Sequence, residues 1–324
     1  MIDKEYKAKV DEELSVVLSN HKNNFVSKGM QLPLPIVSFS KSGLLAILPS
    51  VKNKTGWPWD VEVDSAVYET GRKWPKITVV IPSYNQGEFI EETIRSVVLQ
   101  NYPSLELIIM DGGSTDNSKE VIAAYGPWMS YWQSEKDQGQ GQAINMGFSI
   151  ASGDYYGWLN SDDFYNPGAF LVLASEIIRS NKNFYYGDAY SVDRDITNRY
   201  YWKAFLVKNI FLRFGGLIAS HSAFWKNTIH QPVWETMNCN VDGELWIRLV
   251  KNQSRKHIKF PIGTLRFYED TKSSGINWKK KWDEDDLNID RVHGRPPKSR
   301  SFKAYFHRFV QKIYKSFNTE HSLI

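Results

Sequence analysis

Asn160-Ser161-Asp162-Asp163 sets two adjacent carboxylates directly after the short aromatic and apolar run Tyr155–Leu159. Paired carboxylates at a strand end suit a hard divalent cation held against phosphate oxygens, because such cations take oxygen ligands and keep positions open for a substrate. The same four residues also suit a tight turn or a helix cap. Two other segments offer related chemistry: Pro82-Ser83-Tyr84-Asn85-Gln86-Gly87 and Asp111-Gly112-Gly113-Ser114-Thr115-Asp116. A tyrosine ring such as Tyr84 can stack on a planar base, and an acceptor-only carboxylate such as Asp111 can take the hydrogen of a base imide or a ribose hydroxyl. Taken singly, each segment is also ordinary turn chemistry.

What joins them is the pattern of elements that must carry them. After Pro75, Ile77–Ile81 is a β-branched, nearly unbroken apolar run, as expected of a strand buried on both faces. A helix with Ile90, Ile94, Val97 and Val98 on one side follows, then a strand over 105–110 and a helix near 117–125. A third strand is expected over 129–133, a helix over 142–151 and a fourth strand over 155–159. This alternation predicts a doubly wound, mostly parallel α/β sheet flanked by helices, whose ligands lie beyond the carboxyl ends of the strands. The loops 82–87, 111–116, 134–141 and 160–163 then share one edge of the sheet.

The remainder of the chain is less specific. Residues 1–75 read as an N-terminal extension wrapped on the body, with Tyr6, Val10, Leu14 and Leu18 on one helix face and Pro33, Pro35, Pro49 and Pro58 breaking the rest. The 324 residues, 42% of them hydrophobic, suffice for a substantial core, and the single Cys239 excludes an internal disulfide framework or a multi-thiolate zinc site. No basic-then-apolar leader pattern and no run of ~18 apolar residues is present, so a cytoplasmic, non-spanning protein is expected. The net charge of +4 is concentrated in a basic C-terminal tail, 271–324, which carries eight Lys or Arg and no acid between Arg291 and Asn318. Phe302, Tyr305, Phe306, Phe309, Ile313, Tyr314 and Phe317 recur there at helical spacing. Such an amphipathic helix suits either an anionic membrane surface or packing on the body. No nucleic-acid motif accompanies the charge, so no nucleic-acid partner is expected.

Four segments in fixed order resemble the family 2 glycosyltransferases of the GT-A fold: Ile77–Asn85, Asp111–Asp116, Ser134–Asn145 and Trp158–Asp163. The resemblance covers about 77–270 and implies a GT-A domain over 76–270, with a nucleotide-sugar half at 76–163 and an acceptor half at 164–270. It implies a nucleotide-sugar donor, usually a UDP-sugar, bound by Pro82, Tyr84, Asp111, Asn145 and Asp162, with Asp163 on Mn²⁺ or Mg²⁺. It further implies metal-dependent, inverting transfer to a lipid-linked or oligosaccharide acceptor in bacterial surface polysaccharide or glycan assembly. The tail would then hold the protein at the cytoplasmic face of the inner membrane.

Asn240–Leu249 matches the segment where the family carries its general base, and Asp242 is the expected base. A plain N-cap role competes for Asp242, and Glu244 is the other acid available. His221, Glu244, Trp246 and Tyr268 are expected near the acceptor or the diphosphate. Two departures stand out: Gly112 replaces a carboxylate that many members place after the residue matching Asp111, and Tyr268 replaces a histidine of the late motif. Glu269, Asp270 or water would then complete a metal shell. A non-catalytic nucleotide-sugar or glycan-binding module, or a nucleotidyltransferase, are the competing readings of the same residues.

Overall fold

The computed structural model describes residues 2–37, 40–204, 207, 209, 212, 218–269, 271–272 and 276–294. The apolar run after Pro75 becomes β1 (Ile77–Ser83), buried along its whole length. It is followed by α2 (Ile90–Val98), β2 (Leu105–Asp111), α3 (Ser118–Ala124), β3 (Tyr131–Ser134), α4 (Gln140–Ile150) and β4 (Tyr155–Trp158). The second half holds β5 (Phe164–Tyr165), α5 (Ala169–Ser180), β6 (Phe184–Asp193), β7 (Arg199–Trp202), β8 (Ala223–Lys226), α6 (Val241–Leu249) and β9 (Arg255–Phe267). Two helices flank these elements in sequence, α1 (Lys4–Ser27) and α7 (Lys279–His293).

Among the described residues the strands form one sheet in the order β3-β2-β1-β4-β8-β6-β9-β5, with β7 on β6. β3, β2, β1 and β4 run parallel, β8 is antiparallel to both its neighbours, and β6 pairs parallel with β9. The result is a mixed, mostly parallel α/β sheet flanked by helices, as the alternating pattern predicts. The chain winds outward from β1 to β3 and then returns to β4 on the other side of β1. Strand order reverses there, which opens a crevice at the carboxyl ends of β1 and β4.

Alternation along β1 feeds two cores. Ile77, Val79 and Ile81 pack with Ile90, Ile94 and Val97 of α2 and Phe170 and Leu173 of α5. Val80 faces the opposite way, toward Ala143, Ile144 and Phe148 of α4 and Leu245 of α6. Burial of each such aliphatic side chain stabilises the fold by roughly 1.5–3 kcal/mol. Helix α4 reaches Val80 because position 147 has no side chain: a Cβ on Gly147 would lie 2.5 Å from Val80 Cγ1.

Residues before β1 belong to this body. Val10 and Phe25 of α1 join the α4 core, and Arg95 of α2 is buried with its guanidinium donating to the carbonyls of Pro49, Pro58 and Trp59. The expected tail, 271–324, is corrected over its first part. Lys279–His293 is a helix with Asp285, Ile289 and Val292 buried, and it packs against α1. An acid-rich sequence hid it, since Ile289 and Val292 are its only fully buried apolar side chains. The aromatic and basic stretch 302–317 lies outside the described residues.

Candidate active site

A cavity of about 1160 Å³ lies beyond the carboxyl ends of β1, β2 and β4. Pro82, Tyr84, Gly112, Asp137 and Asp162 line it, together with His221, Asp242, Tyr268 and Lys272. Tyr84 is the most exposed of these rings, at 59%. The loop that carries it is laced to the next one. Asn85 adopts a left-handed φ of 52°, its amide donates to Ser114 Oγ at 2.7 Å, and its side-chain oxygen accepts from Thr115 N at 2.8 Å. Asp116 accepts from Gly87 N and Ser118 N, completing the link.

Asp111 does not line the cavity, contrary to the expectation for it. It is buried at the end of β2, where its carboxylate accepts from Ser114 N, Ser114 Oγ and Ser134 Oγ at 2.9, 2.5 and 2.7 Å. It therefore shapes the glycine turn. The cavity-facing carboxylate beside that turn is Asp137, whose oxygens stand 2.9 and 3.0 Å from where a Cβ on Gly112 would be. Asp137 fills the space that the missing side chain leaves. Burial, reinforced by the charge of Asp111, raises its carboxyl above the usual range against the hydrogen bond from Gly139 N.

Asn145 is likewise corrected: it is fully buried and outside the cavity lining. Its amide donates to Val233 O and Glu235 Oε1 and accepts from Val233 N, pinning α4 to the 232–235 loop. His21 Nε2 of α1 lies 2.7 Å from the same Glu235 oxygen, and Glu235 lines the cavity.

The carboxylate pair divides. Asp162 faces the cavity, and Tyr268 donates its hydroxyl to Asp162 Oδ2 at 3.0 Å. Asp163 has no exposed surface. Its Oδ1 accepts from Arg266 N and its Oδ2 from Asn160 Nδ2, both at 3.1 Å. Thr93 Oγ1 holds the turn by donating to the carbonyls of Ser161 and Asp163. Burial, and then the neighbouring charge of Asp162, push the Asp163 carboxyl well above its usual value. His221 is buried beside it, with Nδ1 4.0 Å from Asp163 Oδ2, and burial lowers its imidazole to about 4.

A divalent cation caged by protein alone needs several converging donors, whereas one bound with substrate phosphates takes one or two carboxylates. Among the described residues no three His, Cys, Asp or Glu side chains converge for one. Asp163 is sealed, Glu269 is exposed and away from the cavity, and Asp270 lies outside the described residues. Tyr268 directs its hydroxyl onto the one cavity-facing carboxylate of the pair. The described donors form no cage of their own, and the expectation of Asp163 on a metal is corrected because that carboxylate is buried with both oxygens engaged by Arg266 N and Asn160 Nδ2.

Asp242 lies in the first turn of α6 and lines the cavity. The cap position is Asn240, two residues earlier, and Asp242 Oδ1 accepts from Gly243 N at 2.8 Å. Glu244 and Trp246 fall on the inner side of the helix and are corrected as site residues. Glu244 is fully buried, receives Arg248 Nη2 at 2.6 Å and Nε at 2.7 Å, and lies 2.9 Å from His293 Nε2. Trp246 stacks on Trp158 at 5.7 Å inside the core.

Asp285 of α7 is a positioning residue that the sequence reading passed over. It accepts the backbone N–H groups of Asn238, Cys239 and Asn240 at 2.6–3.1 Å and so fixes the approach to Asp242. Its spacing with Ile289 and Val292, i, i+4 and i+7, put an acid on the one apolar stripe of an acidic segment, which was the available signal.

Residues 78–246, more than half of the chain, match the family model described as glycosyl transferase family 2. The chain belongs to that family. This family 2 member is 32% identical over 129 residues to the glycosyltransferase GlyG of Streptococcus pneumoniae serotype 4, a stretch covering 39% of this chain and 43% of GlyG. It is 37% identical over 105 residues to an uncharacterised glycosyltransferase of Mycobacterium tuberculosis, covering 32% of this chain and 40% of that one. The chain spans less than half the length of these curated relatives. Among solved structures, S. aureus TarS 1–349 in complex with UDP-GlcNAc superposes with a TM-score of 0.50 at 14% identity, over 67% of this chain and 69% of TarS. The mannosyltransferase PcManGT from Pyrobaculum calidifontis, in complex with GDP-Man and Mn²⁺, gives 0.50 at 13% identity, over 93% and 80%. Both likenesses are of fold.

Proposed function

We propose that this family 2 glycosyltransferase moves a sugar, with inversion, from a nucleoside-diphosphate sugar to a hydroxyl of a lipid-linked or oligosaccharide acceptor. One observation carries this reading: one cavity at the strand-order reversal is lined by an exposed tyrosine ring and carboxylates at the sheet edge and also by a helix-borne carboxylate, Asp242. Tyr84 stacks on the base. Asp137, standing where Gly112 leaves room, accepts its imide hydrogen, which suits the single imide N–H of uracil in a UDP-sugar. Asp162 accepts from hydroxyls of the ribose or the transferred sugar.

Asp242 takes the proton of the acceptor hydroxyl as that oxygen attacks the anomeric carbon from the side opposite the diphosphate. The new carbon–oxygen bond forms as the bond to the diphosphate breaks, and the nucleoside diphosphate leaves with the bonding electron pair. Tyr190 and Trp202 in the wall supply rings on which an acceptor sugar can lie. The basic, aromatic composition of 302–317 supports a place at the cytoplasmic face of a bacterial inner membrane, where a lipid-linked acceptor for surface polysaccharide would be met.

Nucleoside diphosphate release from a panel of UDP- and GDP-sugars with oligosaccharide acceptors tests the reading. Asp242→Asn should lower turnover by about 10²–10⁴-fold while nucleotide binding by calorimetry is unchanged. Wild-type turnover in Asp242→Asn would remove Asp242 as the base.

A further inference from the structure

We propose that the ammonium of Lys272, in place of a divalent cation, neutralises the donor diphosphate as it departs. The proposal deepens the nucleotide-sugar reading and rests on it. A leaving diphosphate gathers negative charge, and a preorganised cation in a site shielded from water stabilises it most. The described donors form no cage for a metal, as stated above. What the cavity wall does contain is a lysine from the late motif, four residues after the tyrosine that caps Asp162.

Lys272 is held toward that region by a directional chain. Its Nζ donates to Gln140 Oε1 at 3.0 Å, Gln140 Nε2 donates to Asn160 Oδ1 at 2.8 Å, and Asn160 Nδ2 donates to Asp163 Oδ2 at 3.1 Å. The ammonium is thus tied to the loop carrying the carboxylate pair. From the other side Trp282 of α7 donates its indole N–H to the Lys272 carbonyl at 2.6 Å, fixing the backbone. Among the described residues Lys272 makes no ion pair, although burial draws its ammonium below the usual lysine range. A half-buried cation with no carboxylate in direct contact, only the more distant charges of Asp162 and Asp285, is costly, and an arriving diphosphate lowers that cost. Gln140 takes one of three ammonium hydrogens, so the others can reach phosphate oxygens. Lys281 also lines the cavity and adds to the positive field. The sealed Asp163 then has a part that needs no metal: it anchors the amide chain that aims Lys272.

UDP and GDP binding to the full chain, measured by calorimetry with EDTA and again with Mn²⁺, decides the matter. The expected result is that one nucleotide binds equally in both conditions. Lys272→Met should weaken it about tenfold or more, the loss of a charge-assisted hydrogen bond, while Lys272→Arg retains most of the affinity. Binding that appears only with Mn²⁺, or an unchanged affinity in Lys272→Met under EDTA, overturns the proposal and leaves the nucleotide reading standing. Binding of neither nucleotide in either condition overturns both. Melting curves without ligand establish that Lys272→Met is folded; should it not be, Lys272→Gln and the EDTA comparison on the unaltered protein give the same decision.

Discussion

Glu244→Gln separates the two acids of the α6 first turn by what each is for. Glu244 is wholly buried and receives both Arg248 Nε and Nη2, with His293 Nε2 at 2.9 Å. Burial by itself would raise its carboxyl; the hydrogen bonds from His293 and Arg248 outweigh that and hold it down to about 2. The gap from the usual 4.5, at about 1.4 kcal/mol per pH unit, corresponds to about 3 kcal/mol of folding stability. Because the folded value is the lower one, this contribution is fully present above pH 4.5 and is lost as pH falls toward about 2. Glutamine keeps the shape but leaves Arg248 without its counter-charge, which independently costs about 3–5 kcal/mol. Thermal unfolding near neutral pH, followed by circular dichroism, should show the midpoint falling on the order of 5–10 °C. The stability difference between the two proteins should shrink as pH falls below 4.5. A variant that melts with the wild-type protein, or a difference that does not change with pH, would refute the reasoning.

Two further outcomes are expected. Arg95→Met removes the donors that satisfy the carbonyls of Pro49, Pro58 and Trp59 and the Tyr125 hydroxyl, and should destabilise by about 3 kcal/mol or more in urea unfolding; a change within error would show that water replaces the guanidinium. Asp137→Asn should weaken UDP binding by about tenfold, since an amide presents one acceptor and a donor where the imide needs an acceptor, and equal affinity would mean that the base lies elsewhere.

The legibility of this fold follows from how local each constraint is. β1, β2, β3 and β4 appear in the sequence because strands buried on both faces must be nearly continuous apolar runs, and their order places the loops on one edge. Which of two neighbouring carboxylates faces the cavity is not local. Asp163 is turned inward by Arg266 N, 103 residues away in β9, and Asp111 by Ser134 of β3. Asp242 lines the cavity, whereas the interior place of Glu244 depends on His293 in a helix that its acidic sequence concealed. Gly112 marked an absence in the sequence; only the fold shows that Asp137 occupies the vacated space.

Helices α1 and α7 lie outside the stretch 78–246 that matches the family model. They come from far-separated parts of the chain yet are fastened together: Arg291 donates to Asp3 Oδ2 at 2.9 Å, and Tyr6 donates to Asn288 Oδ1 at 3.1 Å. Through Asp285 and His21 they also hold the two loops that shape the Asp242 wall of the cavity. The inherited unit and the folding unit are therefore different objects. An excised 78–246 would end inside α6 and lose β9, the strand between β6 and β5, together with both helices, so modular exchange of this domain between relatives has to move α1 and everything through α7 with it.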